Sequence, residues 1–92
     1  MPFWSRKRNG ITFIFKSDPL DDTMAHIYAR HRKTEAQAMA VWFGFVEERW
    51  NEARQRFESY TETEGLYWKW HDKDTDQTLV LIISCFDRRD RD

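Results

Sequence analysis

The sequence has little of several residue types on which common kinds of site depend. Its one cysteine, Cys85, excludes an intramolecular disulfide and a multi-cysteine zinc site. Its three glycines, Gly10, Gly44 and Gly65, are isolated, so no glycine-rich loop is present to cradle phosphate groups. The apolar runs of the sequence, among them residues 38–46 and 79–83, are far shorter than the roughly 20 residues of a membrane-spanning helix. We therefore expect a soluble, cytoplasmic chain with no metal, no cofactor and no membrane partner.

An excess of charge of one sign is also absent, because 15 Lys and Arg residues balance 16 Asp and Glu residues. A protein that binds nucleic acid through its overall field would be strongly basic. Aromatic residues are plentiful at 16%, with five Trp and seven Phe, which excludes a disordered chain. The length predicts a single domain over residues 1–92, with residues 1–8 as an alternative loose basic arm and residues 87–92 as a frayed tail.

The first part of the chain predicts a β-hairpin. The dipeptide Asn9-Gly10 suits a two-residue turn that needs positive φ at both positions. The flanking residues 3–8 and 11–16 would form its strands. The alternative is that residues 3–8 do not join the sheet, because their three consecutive cations suit an edge strand and a free arm equally well.

Two helices are predicted next. Asp18 and Pro19 suit the start of a helix over residues 19–31. Apolar steps of three and four predict a longer helix over residues 35–60. Such a helix would be about 40 Å long, whereas a six-residue strand spans about 20 Å. Trp50 and Phe57, near its end, would then lie beyond the sheet and be available for an interface. The alternative is that the sheet twists beneath the helix or that the helix bends.

Two strands are predicted in the last third. Residues 66–71 alternate in hydropathy, and their outward face would carry Tyr67, Lys69 and His71. Residues 78–86 are apolar in both phases, which predicts a central strand covered on both faces. The order ββααββ predicts an α+β fold of two layers, a mostly antiparallel three- or four-stranded sheet with two helices on one face.

The candidate motifs for catalysis or metal binding lack residues or spacings that this chemistry requires. An acidic loop at 72–77 has the alternating carboxylates of a calcium loop but lacks its glycine and its bidentate glutamate. His26 and His31 would project about 140° apart on a helix and could not share a zinc ion as an i, i+4 pair can. Cys85 follows an apolar run, which predicts a core thiol rather than a nucleophile.

Two surfaces remain as candidate binding sites. One is the outward sheet face with its neighbouring cations, and the other is the aromatic end of the long helix. The candidate partner-binding residues on these surfaces are Tyr67, Lys69, His71, Trp50, Phe57, Arg6 and Arg8.

These surfaces predict a non-catalytic protein-binding module, a small inhibitor, immunity or anti-defence protein that blocks a partner protein or nucleoprotein complex. The alternative is a domain that binds RNA or single-stranded DNA through an aromatic and basic sheet face. An enzyme or small-ligand protein with a scattered site is a third reading. A homodimer is compatible with each, through the helix stripe or through Val80, Ile82 and Phe86.

Overall fold

The chain folds around one mixed β-sheet. In a computed structural model, the fold is described for residues 3–72 and 76–89. The strands lie in the order β1-β2-β7-β6-β5-β4, with β3 paired to β2. Strands β2 and β7 run parallel, and the other paired strands run antiparallel. The elements in chain order are β1 (Phe3–Arg8), β2 (Ile11–Asp18), β3 (Asp21–Ala25), α1 (His26–His31), α2 (Glu35–Gly44), β4 (Glu47–Asn51), β5 (Arg56–Tyr60), β6 (Glu64–Asp72) and β7 (Asp76–Asp87).

This architecture corrects the predicted fold class. Over residues 3–72 and 76–89 the structure is mostly β, with 59% strand and 20% helix arranged as seven strands and two short helices. The expected sheet of three or four strands is wrong, because the described residues form seven strands with one parallel pair, β2 and β7. The additional strands β3, β4 and β5 come from stretches whose apolar spacing predicted helix.

The predicted helix over residues 35–60 is wrong beyond Gly44, where α2 ends and Phe45 adopts extended backbone with φ −65° and ψ 149°. Glycine is a poor helix former, and an added Cβ at Gly44 would meet nothing within 4 Å, so no close packing requires a glycine at this position. Apolar steps of four keep side chains on one face of a strand as well as of a helix, because four is a multiple of the strand period. The turn after β4, with Gln55 at φ 53°, completes a hairpin instead.

The predicted helix over residues 19–31 is wrong in its first half. Residues 21–25 form β3, which pairs with the end of β2, and α1 begins only at His26. The Asp18 carboxylate does accept a backbone N–H, but from Leu20 at 2.9 Å, in a turn between two strands. The same side-chain chemistry caps helices and closes such turns, which explains the misreading.

The predicted N-terminal hairpin is confirmed. Asn9 and Gly10 have φ values of 52° and 81°, and β1 pairs with β2 along its whole length rather than forming a loose arm. Strand β7 is central, between β2 and β6, as the apolar run predicted. Of the predicted loop at 72–77, residues 73–75 lie outside the described residues, and Asp72 and Asp76 belong to β6 and β7. Of the predicted frayed tail at 87–92, residues 90–92 lie outside the described residues, and Asp87 is the last residue of β7.

Both helices lie against one face of the sheet, which we call the helix face; the opposite face is the outer face. The core on the helix face includes Phe13, Phe15, Trp68 and Val80. A bulge at Ile83 shifts the register of β7, since Trp68 pairs with Ile82 whereas the preceding Tyr67 pairs with Ser84. The shift sends Cys85 into the core and Phe86 to the outer face.

Lys33 fastens the segment between α1 and α2 to the sheet. It is 8% exposed, and its Nζ lies 2.9 Å from Glu64 Oε2 and 2.5 Å from Asp87 Oδ1. Burial alone would lower the pKa of Lys33, but the hydrogen bonds and charges of Asp87 and Glu64 outweigh it and raise the pKa. The helices are thereby tied to the ends of β6 and β7.

Candidate functional site

The outer face carries a groove of about 380 Å³ over β4, β5, β6 and the end of β7. We call it the arginine–tyrosine groove. Its lining contains four guanidinium groups, two carboxylates and two phenol rings. The lining residues are Glu47, Arg49, Asn51, Arg54, Arg56, Glu58, Tyr60, Tyr67, Phe86 and Arg88.

Strand register places these side chains together. Glu58 on β5 lies directly opposite Arg49 on β4 and Tyr67 on β6. Residues that lie opposite each other in neighbouring strands share a face, so all three project from the outer face. Arg54 comes from the turn between β4 and β5, where its backbone N–H donates to Asn51 Oδ1 at 3.1 Å. The groove is therefore built on a rigid hairpin.

Gly65 shapes the floor of the groove. A Cβ at this position would lie 2.6 Å from Cε2 of Phe86 and 3.0 Å from Cε1 of Tyr60. The Phe86 ring is 2% exposed and lies 4.6 Å from the Tyr67 ring, centroid to centroid. Only glycine lets the Phe86 ring lie this close to β6.

Glu58 is the electrostatic centre of the groove. It is 6% exposed and accepts hydrogen bonds from Arg49 Nε at 3.1 Å and Asn51 Nδ2 at 3.0 Å. Arg56 Nε lies 3.5 Å from its Oε2. Burial alone would raise the pKa of Glu58, but the Asn51 hydrogen bond and the two arginine charges outweigh it and lower the pKa. Glu58 is thus held as an anion that positions two guanidinium groups.

The arginines also cover the tyrosine rings. Cζ of Arg56 lies 3.6 Å from the ring centroid of Tyr67, and those of Arg49 and Arg88 lie 5.4 and 5.1 Å from the ring of Tyr60. Burial, followed by the nearby Tyr60 and Glu58, raises the pKa of Tyr67. Both phenol rings therefore serve as supports for guanidinium groups rather than as open stacking surfaces.

Arg54 differs from the other three arginines. Arg49 and Arg56 pair with Glu58, and Arg88 pairs with Glu47. Among residues 3–72 and 76–89 the Arg54 guanidinium has no carboxylate partner. Since a guanidinium has five N–H donors in a planar fork, the groove can bind an external carboxylate or phosphate in bidentate fashion.

The structure separates the residues that the sequence grouped on the outward sheet face. Tyr67 lies in the groove, and Lys69 and His71 are exposed farther along β6. Arg6 and Arg8 pair with Phe13 and Ile11, which places them on the helix face. Arg6 Nε lies 3.2 Å from Glu35 Oε1 of α2. Arg6 and Arg8 therefore do not share a surface with Tyr67.

Trp50 and Phe57 lie together, but on strands and not at the end of a helix. They form a cross-strand pair on the helix face, with ring centroids 4.9 Å apart. Phe57 stacks on Trp68 at 4.6 Å, and Trp50 is 44% exposed. Trp50 is thus accessible because it lies on an edge strand, and not because a helix extends beyond the sheet.

Sequence reasoning missed Glu58 and three arginines of the groove because it placed residues 35–60 on one helix. It missed Arg88 because it placed residues 87–92 in a frayed tail. The signal that could have found the groove is alternation in steps of two, from Glu47 to Arg49 and from Arg56 to Glu58. In a hairpin, such residues project from one face.

Outside the groove, the features that bear on a further site are the cysteine, the metal-ligating residue types and the helices. Burial raises the pKa of Cys85 to about 12, so the thiol is a core group as predicted. Within residues 3–72 and 76–89, no three His, Cys, Asp or Glu side chains are grouped to hold a metal ion. Neither helix in the described part of the chain has the length and apolar character needed to cross a membrane. The chain matches no protein-family model, no curated protein and no solved structure.

Proposed function

We propose that this chain is a non-catalytic, cytoplasmic protein-binding module of the inhibitor, immunity or anti-defence type. It binds an acidic surface of a partner protein, alone or within a nucleoprotein complex, through the arginine–tyrosine groove. The observation that carries the proposal is a set of arginines fixed by Glu58 and by tyrosine rings, beside an Arg54 without an internal partner.

Fixed arginines favour specific binding of carboxylates. Their side chains are ordered before binding, so less conformational entropy is lost when a partner docks. Arg49 and Arg88 keep 64% and 38% of their side chains exposed while they hold their internal contacts. Glu58 is engaged by two arginines, which supports a positioning role rather than proton transfer.

A protein partner fits the groove better than a nucleic acid does. The carboxylates of Glu47 and Glu58 stand among the arginines and would oppose a phosphate backbone. Base stacking needs open ring faces, and guanidinium groups cover those of Tyr60 and Tyr67. Lys69 and His71 are exposed on the same face, so the experiment must separate the two classes of partner.

The test is affinity capture from a lysate of the cells that produce the protein, with and without nuclease. The immobilised baits are the unaltered chain, Arg54→Glu and the matched control Arg30→Glu. Arg30 is exposed on α1, away from the groove, so both variants change the net charge equally. Bound proteins are quantified by mass spectrometry, and the affinity of the retained protein is then measured with each purified bait.

We expect one acidic protein to be retained by the unaltered chain and by Arg30→Glu, with at least tenfold weaker binding to Arg54→Glu. A charge reversal opposite a carboxylate costs more than 1.4 kcal/mol, which is a factor of ten. Equal retention by all three baits would contradict the proposed surface. Retention that nuclease removes would instead assign the face to nucleic acid.

A further inference from the structure

Strand β4 is a free edge of the sheet beside the arginine–tyrosine groove. In the described part of the chain it pairs with β5 on one side and with no strand on the other. Alternate backbone N–H and C=O groups along the free side are therefore available to another strand. Its residues from Glu47 to Trp50 are exposed.

The two faces of this edge differ in chemistry. On the outer face, Arg49 has a 64% exposed side chain, and Arg54 follows in the turn. On the helix face, Trp50 is 44% exposed and packs on Phe57. Val46, directly before the strand, is 73% exposed. The edge thus offers cations on one side and apolar surface on the other.

The acidic side chains of β4 are already engaged within the chain. Glu47 accepts a hydrogen bond from Arg88, and Glu48 accepts one from Ser59 Oγ at 3.1 Å. Arg88 balances the charge of Glu47, and Glu58 pairs with Arg49, whose side chain is still 64% exposed. In the described part of the chain, Arg54 is therefore the cation on the outer side of this edge that has no carboxylate partner. Glu48 accepts only from a neutral hydroxyl and keeps its charge on the helix face.

The opposite edge, β1, has a different pattern. Arg6 and Arg8 lie on its helix face and Lys7 on its outer face, and all three are exposed. Cations on both sides protect this edge against a strand with an apolar side. Of the two strands that end the path β1-β2-β7-β6-β5-β4 in the described residues, β4 is therefore the one with cations on one side of its free backbone and an exposed Trp on the other.

We propose that the partner of this module supplies an extended segment of alternating acidic and apolar residues, which pairs with β4 as an additional edge strand. Its acidic side chains lie over Arg49 and Arg54, and its apolar side chains lie against Trp50. The backbone hydrogen bonds give affinity, and the alternation gives specificity. This inference rests on the proposed function, because it names the part of the partner that the groove binds.

The test is an NMR titration of the ¹⁵N-labelled chain with synthetic peptides of about ten residues. The probe alternates Glu with Val, and its isomer has the same composition in two blocks. Two further peptides carry backbone N-methyl groups on the Glu residues only or on the Val residues only. A strand hydrogen-bonds to one edge through alternate residues, so only one of these two methylation patterns blocks pairing.

We expect the alternating peptide to shift the amide signals of β4 and to bind at least tenfold more tightly than the block isomer. One N-methylated peptide should bind like the unmodified probe, and the other at least tenfold more weakly. Arg54→Glu should weaken binding, whereas Arg30→Glu should not.

Equal binding of the two N-methylated peptides would overturn strand addition. If Arg54→Glu still weakened capture of the partner, the proposed protein-binding function would stand, and only the addition of a strand to β4 would be excluded. Self-association would also overturn the proposal, by assigning the β4 edge to a second copy. Self-association would be seen by light scattering as a dimer, and Trp50→Ala would convert this dimer to a monomer.

Discussion

Replacing Glu58 with glutamine removes the anion from the groove with almost no change in volume. The amide oxygen can still accept one hydrogen bond, but Arg49 and Arg56 lose the opposite charge that holds them. Hydrogen bonds to charged groups contribute about 1.5–3 kcal/mol each, roughly twice the neutral value. Solvent screens the Arg49 contact, whose guanidinium side chain is 64% exposed, whereas Arg56 is 13% exposed. We therefore expect a loss of about 2 kcal/mol in the free energy of unfolding at pH 7.

The assay is urea unfolding followed by tryptophan fluorescence. For a urea dependence of about 2 kcal/mol per molar, the midpoint should fall by roughly 1 M. The pKa of Glu58 is lower in the folded chain than its ordinary value of 4.5. Its contribution is therefore complete above pH 4.5 and is lost as the pH falls through the folded-state pKa. The difference between the two proteins should shrink as the pH approaches 3.

The matched control is Glu62→Gln, at an exposed position in the turn between β5 and β6 with no partner among the described residues. It should leave the urea midpoint unchanged. If the Glu58→Gln chain were as stable as the unaltered chain at pH 7, the charge of Glu58 would not stabilise the fold and this prediction would be refuted. A difference that persisted unchanged at pH 3 would show that volume or shape, and not charge, is responsible.

Three further predictions concern the supports of the groove and the core. Gly65→Ala places a methyl group against the buried Phe86 ring and should cost about 1–3 kcal/mol in urea unfolding, whereas Gly44→Ala, at an open position, should cost nothing. Lys33→Met removes the ammonium group between two partly exposed carboxylates. We expect thermal unfolding to show a loss of about 2 kcal/mol in the free energy of unfolding. An unchanged melting temperature would contradict the role of Lys33 in holding the helices to the sheet. With its pKa raised to about 12, Cys85 should not react with a thiol reagent at pH 8 until urea unfolds the chain, and rapid reaction of the native chain would contradict its burial.

Local chemistry explains what the sequence could predict. The Asn9-Gly10 turn needs only the conformations of two residues, and the β1–β2 hairpin follows from it. The alternation of residues 66–71 likewise assigned Trp68 to the core and Tyr67 to the outer face. Both features are encoded within a few neighbouring residues.

The β4–β5 hairpin depends on contacts that are distant in sequence. Phe57 stacks on Trp68, and Trp68 Nε1 donates to Ser59 Oγ at 2.9 Å, so pairing with β6 stabilises β5 as a strand. Apolar steps of three and four favour a helix on local grounds and contain no information about these distant contacts. The arginine groove was missed for the same reason.

One error in the predicted surface was avoidable. A two-residue turn at Asn9-Gly10 pairs Arg8 with Ile11, and hence Arg6 with Phe13. Residues opposite each other in a hairpin lie on one face, so these arginines had to share a face with the apolar side of β2. The net charge of −1 also conceals how the charges are distributed, since four arginines line the groove.

Capture of a partner by the unaltered chain and by Arg54→Glu, in the presence of nuclease, decides whether the arginine–tyrosine groove binds a protein. We expect a protein that binds the unaltered chain and the Arg30→Glu control equally and binds Arg54→Glu at least tenfold more weakly. A partner bound equally by all three would contradict this expectation, because the arginine–tyrosine groove would then play no part in binding.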